Sequence, residues 1–249
     1  MTSGKILQTS GWLLSTMLLF SLISCEKPAG LGGKAEIKGI VTVKSYDAQF
    51  RVFQASYPAA NENVYIIYGD GETNSDDVKT SYNGLFSFPY LSKGNYKIFV
   101  YSDDSLTGSP SGKIHIEKKV NLNSNDEKHD LGELVIYKTL DIDDGNARIE
   151  GRVLQVNYSK DFYSIIDTTK AQELPVYLRY EDNPEYVERI RTLNDGTFAI
   201  TNLIKGHYTL LVYSEDTNGG TENISVIRNP HIEGLEQIVN VGDIFIAKD

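Results

Sequence analysis

Two stretches of this chain repeat each other. NGLFSFPYLSKGNYKIFVYS runs from Asn83 to Ser102, and DGTFAITNLIKGHYTLLVYS runs from Asp195 to Ser214, 112 residues later. Nine of the twenty aligned positions are identical, among them Gly84/Gly196, Phe86/Phe198, Tyr96/Tyr208 and Ser102/Ser214. The same offset continues upstream, where Ile37-Lys38-Gly39 meets Ile149-Glu150-Gly151 and Val64-Tyr65 meets Val176-Tyr177. The closing segments match at a slightly shorter offset, LGELVIYK (Leu131 to Lys138) against VGDIFIAK (Val241 to Lys248). The chain therefore holds two homologous units of about 110 residues, each in the usual size range of one domain. A period this long describes two beads rather than a solenoid.

Periodicity decides what each unit is made of. Tyr96, Ile98 and Val100 alternate with Lys97, Phe99 and Tyr101, and the second copy alternates in the same phase. A period of two in β-branched and aromatic residues means strands. Asn83-Gly84 and Asp195-Gly196 read as two-residue hairpin turns, because Asn, Asp and Gly tolerate positive φ; Lys93-Gly94 and Lys205-Gly206 mark the next turn. The expected strands lie near 35–43, 63–68, 77–82, 85–90, 95–102, 113–121 and 132–138. In the second unit they lie near 147–157, 175–181, 186–193, 197–202, 207–214, 223–228 and 237–247. This is an all-β chain of two tandem seven-stranded sandwiches. The expected core is Ile37, Val64, Ile66, Phe86, Phe88, Leu91, Tyr96, Ile98 and Val100. Its counterpart is Ile149, Val176, Leu178, Phe198, Ile200, Leu203, Tyr208, Leu210 and Val212. Pro89 has no N–H for a ladder, so its strand lies at an edge or ends there.

A glycine in the first strand, a Val-Tyr strand, then G-x-F-x-F/I-x-x-L-x-x-G-x-Y-x-I/L-x-V resembles the carboxypeptidase regulatory-like domain. The resemblance covers nearly all of the chain after its first residues, twice. It implies a small Ig-like sandwich of the transthyretin (prealbumin) kind, with no catalytic residues to carry across. It implies an envelope protein used as a spacer, docking or binding unit. The long connections Ser45–Asn61 and Tyr158–Glu173 depart from that pattern. Both are rich in aromatics and are expected to pack or to form an extra strand.

The N-terminus reads as an export signal. Lys5 precedes an apolar run from Gly11 to Ser24, shorter than the roughly 20 residues that span a bilayer and suited to a signal peptide. Leu22-Ile23-Ser24-Cys25 resembles the lipobox of bacterial lipoproteins. On that resemblance residues 1–24 are removed, and Cys25, the only cysteine, carries lipid that holds the protein on the cell envelope. The outer membrane or surface of a Gram-negative bacterium is the expected place. A flexible tether, residues 25–34, leads to sandwich one (35–140) and sandwich two (141–249). A net charge of −10 excludes nucleic acid as a partner, since phosphates demand basic patches.

The four histidines show no metal-ligand spacing, and there is no nucleophile elbow, phosphate loop or free nucleophilic thiol. No catalytic residue and no cofactor is therefore assigned. Asp141, Asp143 and Asp144 crowd the junction between the units, an oxygen-rich composition that calcium favours. However, an EF-hand would need glycine where Asn146 stands, so a solvated turn capping a strand is the first reading and calcium the weaker one. An aromatic strip runs out of phase with the core: Tyr65, Phe99 and Tyr101 in one unit, Tyr177, Leu211 and Tyr213 in the other. Such a strip can seat a protein or stack on sugar rings; cover by the long connection, or docking between the domains, would also account for it. Asp104-Ser105-Leu106 and Asp167-Thr168-Thr169 resemble an O-glycosylation acceptor of some Gram-negative envelopes. The expected function is a non-enzymatic structural or docking lipoprotein whose partner is another envelope protein. A glycan-binding lipoprotein of a carbohydrate capture system is the alternative, and an enzyme comes third.

Overall fold

In a computed structural model, the described residues are 29–104, 107–160, 162–218, 220 and 222–249. Cys25 and the expected leader lie outside them, as do Ser105 and Leu106. The first unit contributes β1 (Leu31–Asp47), β2 (Phe53–Pro58), β3 (Asn63–Tyr68), β4 (Asp76–Lys79), β5 (Leu85–Leu91), β6 (Gly94–Asp103), β7 (Lys113–Leu122) and β8 (Lys128–Leu140). β5 and then β2 pair antiparallel along one edge of β1, and β8 pairs parallel along the other. The facing sheet runs β4-β3-β6-β7.

The second unit repeats the plan. Its strands are β9 (Ala147–Tyr158), β10 (Ile165–Lys170), β11 (Pro175–Tyr180), β12 (Glu188–Arg191), β13 (Thr197–Leu203), β14 (Gly206–Ser214), β15 (Ile224–Arg228), β16 (His231–Ile232) and β17 (Ile238–Lys248). β10, β13 and β17 flank β9, and β12-β11-β14-β15 forms the opposite sheet, with the short β16 also on β14. The protein is all-β. Every expected core position is buried, none more than 4% exposed. The two sets fall into two separate clusters, one per sandwich. Each large side chain removed from water contributes about 1.5–3 kcal/mol.

Four expectations change in detail. Each sandwich gains a strand, because the long first connection doubles back along β1 or β9 as β2 or β10. The expected tether is shorter, since β1 begins at Leu31 and Gly30 O accepts the Ser92 N–H at 2.8 Å. Ile142 O accepts the Ile204 N–H at 3.2 Å in the same way, so both lead-in segments lie on their own sandwich. The Asn83-Gly84 and Asp195-Gly196 turns are not two-residue hairpins. Ser81 N–H donates to Leu85 O and Gly84 N–H to Ser81 O, both at 2.9 Å. Only the glycines, at φ +79 in both copies, are left-handed. This is a type I turn followed by a left-handed glycine, and it carries the chain from one sheet to the other. A Cβ on Gly84 would lie 2.4 Å from Val41 O. Finally, the end of the second unit divides into β15, β16 and β17. Pro89 behaves as expected, in a strand that pairs only with β1 among the described residues.

The first-strand glycine common to both units has a packing cause. A Cβ on Gly39 would lie 2.8 Å from the Phe86 ring, and one on Gly151 2.9 Å from the Phe198 ring. Three buried polar side chains recur at the repeat offset. Ser102 and Ser214 hydroxyls accept the Tyr137 and Ala247 N–H groups at 2.8 Å, tying β6 to β8 and β14 to β17 across the sandwich. Tyr96 and Tyr208 donate to Ser92 O at 2.6 Å and Ile204 O at 2.8 Å; burial raises both phenols above their ordinary value. Thr80 and Thr192 accept the Glu62 and Leu174 N–H groups at 2.8 and 2.9 Å, and donate to Ala59 O and Ala171 O.

The sandwiches meet through the tip that joins β1 to β2. Asp47, fully buried, shapes this tip by accepting the Arg51 and Val52 N–H groups at 2.6 and 2.9 Å through Oδ1. Its Oδ2 has no hydrogen-bond partner, and Arg51 Nε lies 3.7 Å away. Arg51 pairs with Asp182 of the second sandwich, raising the guanidinium and lowering the carboxyl pKa. Gln54, 2% exposed, clamps the backbone of one residue there: its Nε2 donates to Lys205 O at 2.9 Å and its Oε1 accepts the Lys205 N–H at 2.7 Å. Lys205 Nζ lies 5.3 Å over the Phe53 ring, and Val52 packs on the second core. Tyr180 donates to Lys205 O at 3.0 Å; burial first, and then the Asp47 charge, push its pKa upward.

Candidate functional site

The aromatic strip lies on the outer face of the second sheet of each sandwich. In the first, register sets Tyr65 opposite Phe99. Their rings stack at 5.0 Å and 16°. Tyr101 stands edge-on to both, at 5.6 and 5.7 Å, and is 51% exposed. His115, opposite Tyr101 on β7, joins at 5.7 Å from Phe99.

In the second sandwich Tyr177 lies opposite Leu211 and 5.7 Å from Tyr213, edge to face. Leu211 is where alternation puts it, but it is only 4% exposed. Tyr177 on one side and Ile227 on the other flank it across the strands, so it is a floor of this face and not a contact point. Tyr186 packs 4.7 Å from Tyr177, and its hydroxyl meets that of Tyr213 at 3.1 Å. This bond lowers the Tyr186 pKa, helped by Arg179, and raises that of Tyr213. The Arg179 guanidinium sits 4.8 Å over Tyr186 and that of Arg189 5.6 Å over Tyr177, geometry that favours cation–π attraction.

Arg179, Arg189, Tyr186 and His115 were not anticipated. Arg179 could have been found, since it stands two residues after Tyr177 and shares its face. Arg189 becomes visible only when β12 is set in register against β11. Tyr186 opens the strand expected near 186–193 but lies ahead of β12, which begins at Glu188, and Asn74 stands at the matching position of the first unit, so the repeat does not point to it.

The principal cavities lie elsewhere. One of about 710 Å³ is lined by Glu36, Lys38, Leu85, Phe86 and Asp130 among others. Its counterpart of about 470 Å³ includes Glu150, Arg152, Phe198 and Asp243. Neither is lined by Tyr65, Tyr101, Tyr177 or Tyr213. The junction is a turn closed on itself: Asp144 Oδ2 accepts the Asp141 N–H at 2.8 Å, and Asp144 N–H donates to Asp141 O at 3.1 Å. Among the described residues no three His, Cys, Asp or Glu side chains are placed to hold a metal ion. His207 and His231 stack at 3.8 Å, where Asn95 and Asn121 hydrogen-bond at 2.6 Å in the first unit. Thr168 and Thr169 lie in the exposed strand β10.

No protein-family model matches the sequence, and no curated protein matches it. Solved structures with a similar course include the Bacillus anthracis TIE protein, at 15% identity and a TM-score of 0.29 over 85% of this chain and 35% of that one. The chain thus spans about a third of that protein's length. The minor pilin GBS52 of Streptococcus agalactiae matches at 13% identity and a TM-score of 0.29, over 86% of this chain and 96% of that one. A fimbrial protein from Bacteroides ovatus matches at 7% identity and a TM-score of 0.24, over 87% and 51%. Likeness at this level assigns no function.

Proposed function

We infer that this is a non-enzymatic cell-envelope lipoprotein: two carboxypeptidase regulatory-like sandwiches, anchored by lipid on Cys25, acting as a stiff structural and protein-docking module. The observation that carries the reading is the inter-sandwich clamp. Gln54 uses both ends of its amide on the backbone N–H and C=O of Lys205, and Val52 packs against the second core. A flexible pair of beads would have no use for such a contact. The aromatic faces supply docking area, and their tyrosines line neither of the two cavities, which suits a protein surface better than a small sugar held in a cleft.

Three measurements test this. Radiolabelled palmitate should enter the full chain in a lipoprotein-processing host and be lost with Cys25→Ala; labelling that persists in the variant would remove the anchor. X-ray scattering of the detergent-solubilised chain should fit one fixed arrangement of the sandwiches, and Gln54→Ala with Arg51→Ala should broaden it. Equal breadth in both would remove the stiff body. A glycan array that lights up and is silenced by Tyr101→Ala would turn the reading to carbohydrate capture.

A further inference from the structure

The tip that joins β9 to β10 is the same turn as the inter-sandwich tip, 112 residues later. Phe50 and Phe162 are both left-handed, at φ 56 and 51. Asp47 N–H donates to Val52 O at 3.0 Å, and Ser159 N–H to Ser164 O at 2.8 Å. Phe50 N–H donates to Asp47 O at 2.9 Å, and Phe162 N–H to Ser159 O at 2.7 Å. The Ser159 hydroxyl accepts the Ser164 N–H at 3.1 Å, replacing the Asp47 carboxylate. The turn is preserved, but its contact residues are exchanged. Where the first tip has Arg51, Phe53 and Gln54, the second has Tyr163, Ile165 and Ile166.

The first tip meets its neighbour through Gln54, 2% exposed, and through Val52, which packs on the second core, while Arg51 and Phe53 stay partly open to solvent, Phe53 at 45%. The second exposes Tyr163, Ile165 and Ile166 at 94%, 61% and 69%. Single exposed apolar residues need no explanation, but a contiguous group marks an interaction surface. Beside it β10 pairs only with β9 among the described residues, and all six of its residues are exposed. That leaves an open strand edge.

We propose that this tip is a self-association surface, and that its occupant is the same tip of a second copy of the chain, related by a two-fold axis. The first tip shows that this turn docks. The contact it makes cannot simply be repeated head to tail, because the receiving end of the first sandwich is closed by its own residues. The Lys93 N–H there is taken by Asn125 Oδ1 at 2.6 Å, whereas the matching Lys205 N–H is left for Gln54. A tip of Tyr and Ile also lacks the amide and guanidinium that the internal contact uses. A two-fold pairing instead sets apolar side chains against their own copies and lets the open edges of β10 meet. Closed two-fold pairs are the commonest oligomers. β1 runs from Leu31 at the receiving end to Asp47 at the tip, so among the described residues the second tip lies at the end away from Leu31. This extends the docking part of the proposed function and depends neither on the lipid nor on stiffness between the sandwiches.

The test is disulfide trapping of the full chain in cells, in a Cys25→Ser background that leaves no other thiol. Tyr163→Cys should give an oxidant-dependent band at twice the chain mass, at least tenfold stronger than Tyr82→Cys, whose side chain is 87% exposed but lies on the first sandwich. In a second measurement, sedimentation of the detergent-solubilised chain should show a concentration-dependent dimer that Ile165→Thr with Ile166→Gln abolishes. Trapping no stronger than the Tyr82→Cys control, or a dimer indifferent to the double variant, overturns the proposal. So does efficient trapping of a Tyr163→Cys chain by a second chain that carries Lys93→Cys instead. Scattering still reports on the two-sandwich body whichever result is obtained.

Discussion

Ser102 and Ser214 close the repeated segment, and the hydroxyl oxygen of each accepts an N–H of the last strand in the opposite sheet. Both are nearly inaccessible to water, so removal of the oxygen leaves a partly buried donor without its partner. Ser102→Ala or Ser214→Ala should each cost about 1–3 kcal/mol, read by urea unfolding; a cost below the error of the measurement would show that water takes the place of the hydroxyl. Asp103 is the neighbouring case. Burial alone would raise its pKa, but the Lys113 ammonium and the Thr139 N–H and hydroxyl outweigh this and hold it below the ordinary value. A folded pKa below the unfolded one stabilises at pH values above the unfolded value, about 3.9 for Asp, and that stability is lost as pH falls through the folded value. The stability gap between the parent and Asp103→Asn should therefore be full near neutrality and shrink below about pH 4. A gap that stays constant from neutral to strongly acidic pH would show that the Asp103 charge contributes nothing to the fold.

At the scale of elements, the β1–β2 tip carries the most weight for its length. Gln54→Ala removes its two hydrogen bonds to the Lys205 backbone and leaves the Lys205 N–H open to exchange. Amide hydrogen exchange at Lys205 should accelerate at least tenfold while Tyr208, deep in the same sandwich, is unchanged; parallel acceleration of both would mean global rather than local loosening. The sequence made the strands and their inward faces readable because a period of two survives any detail of register, and every position placed in the core from alternation is there. What it hid was the destination of each turn. Asn83-Gly84 signals reversal, but the residues do not say whether the next strand pairs with the last or crosses to the other sheet. Likewise, the aromatics of Ser45–Asn61 announced packing, but Arg51 and Gln54 find their partners 131 and 151 residues away. Such distant pairing leaves no trace in a local pattern. The strip fared in between: Tyr65, Tyr101, Tyr177 and Tyr213 follow from phase, whereas Tyr186 depends on the course of a loop.

For the whole molecule, the clamp predicts coupled unfolding. Calorimetry of the parent chain should show the two sandwiches melting in a single transition, and Arg51→Ala with Gln54→Ala should separate it into two. Two transitions already present in the parent would mean that the contact is too weak to link them. The same clamp has a consequence for descent. Copying a gene segment yields parts that can stand in either order. Here the first copy keeps Asn125 to close its own Lys93 amide, while the second has Leu235, half exposed, at the matching position and relies on its predecessor. Interchanging the halves would preserve every residue and both folds, yet leave Gln54 without a peptide to grip and Lys205 uncovered. The duplication has acquired a grammar in which the order of the words matters.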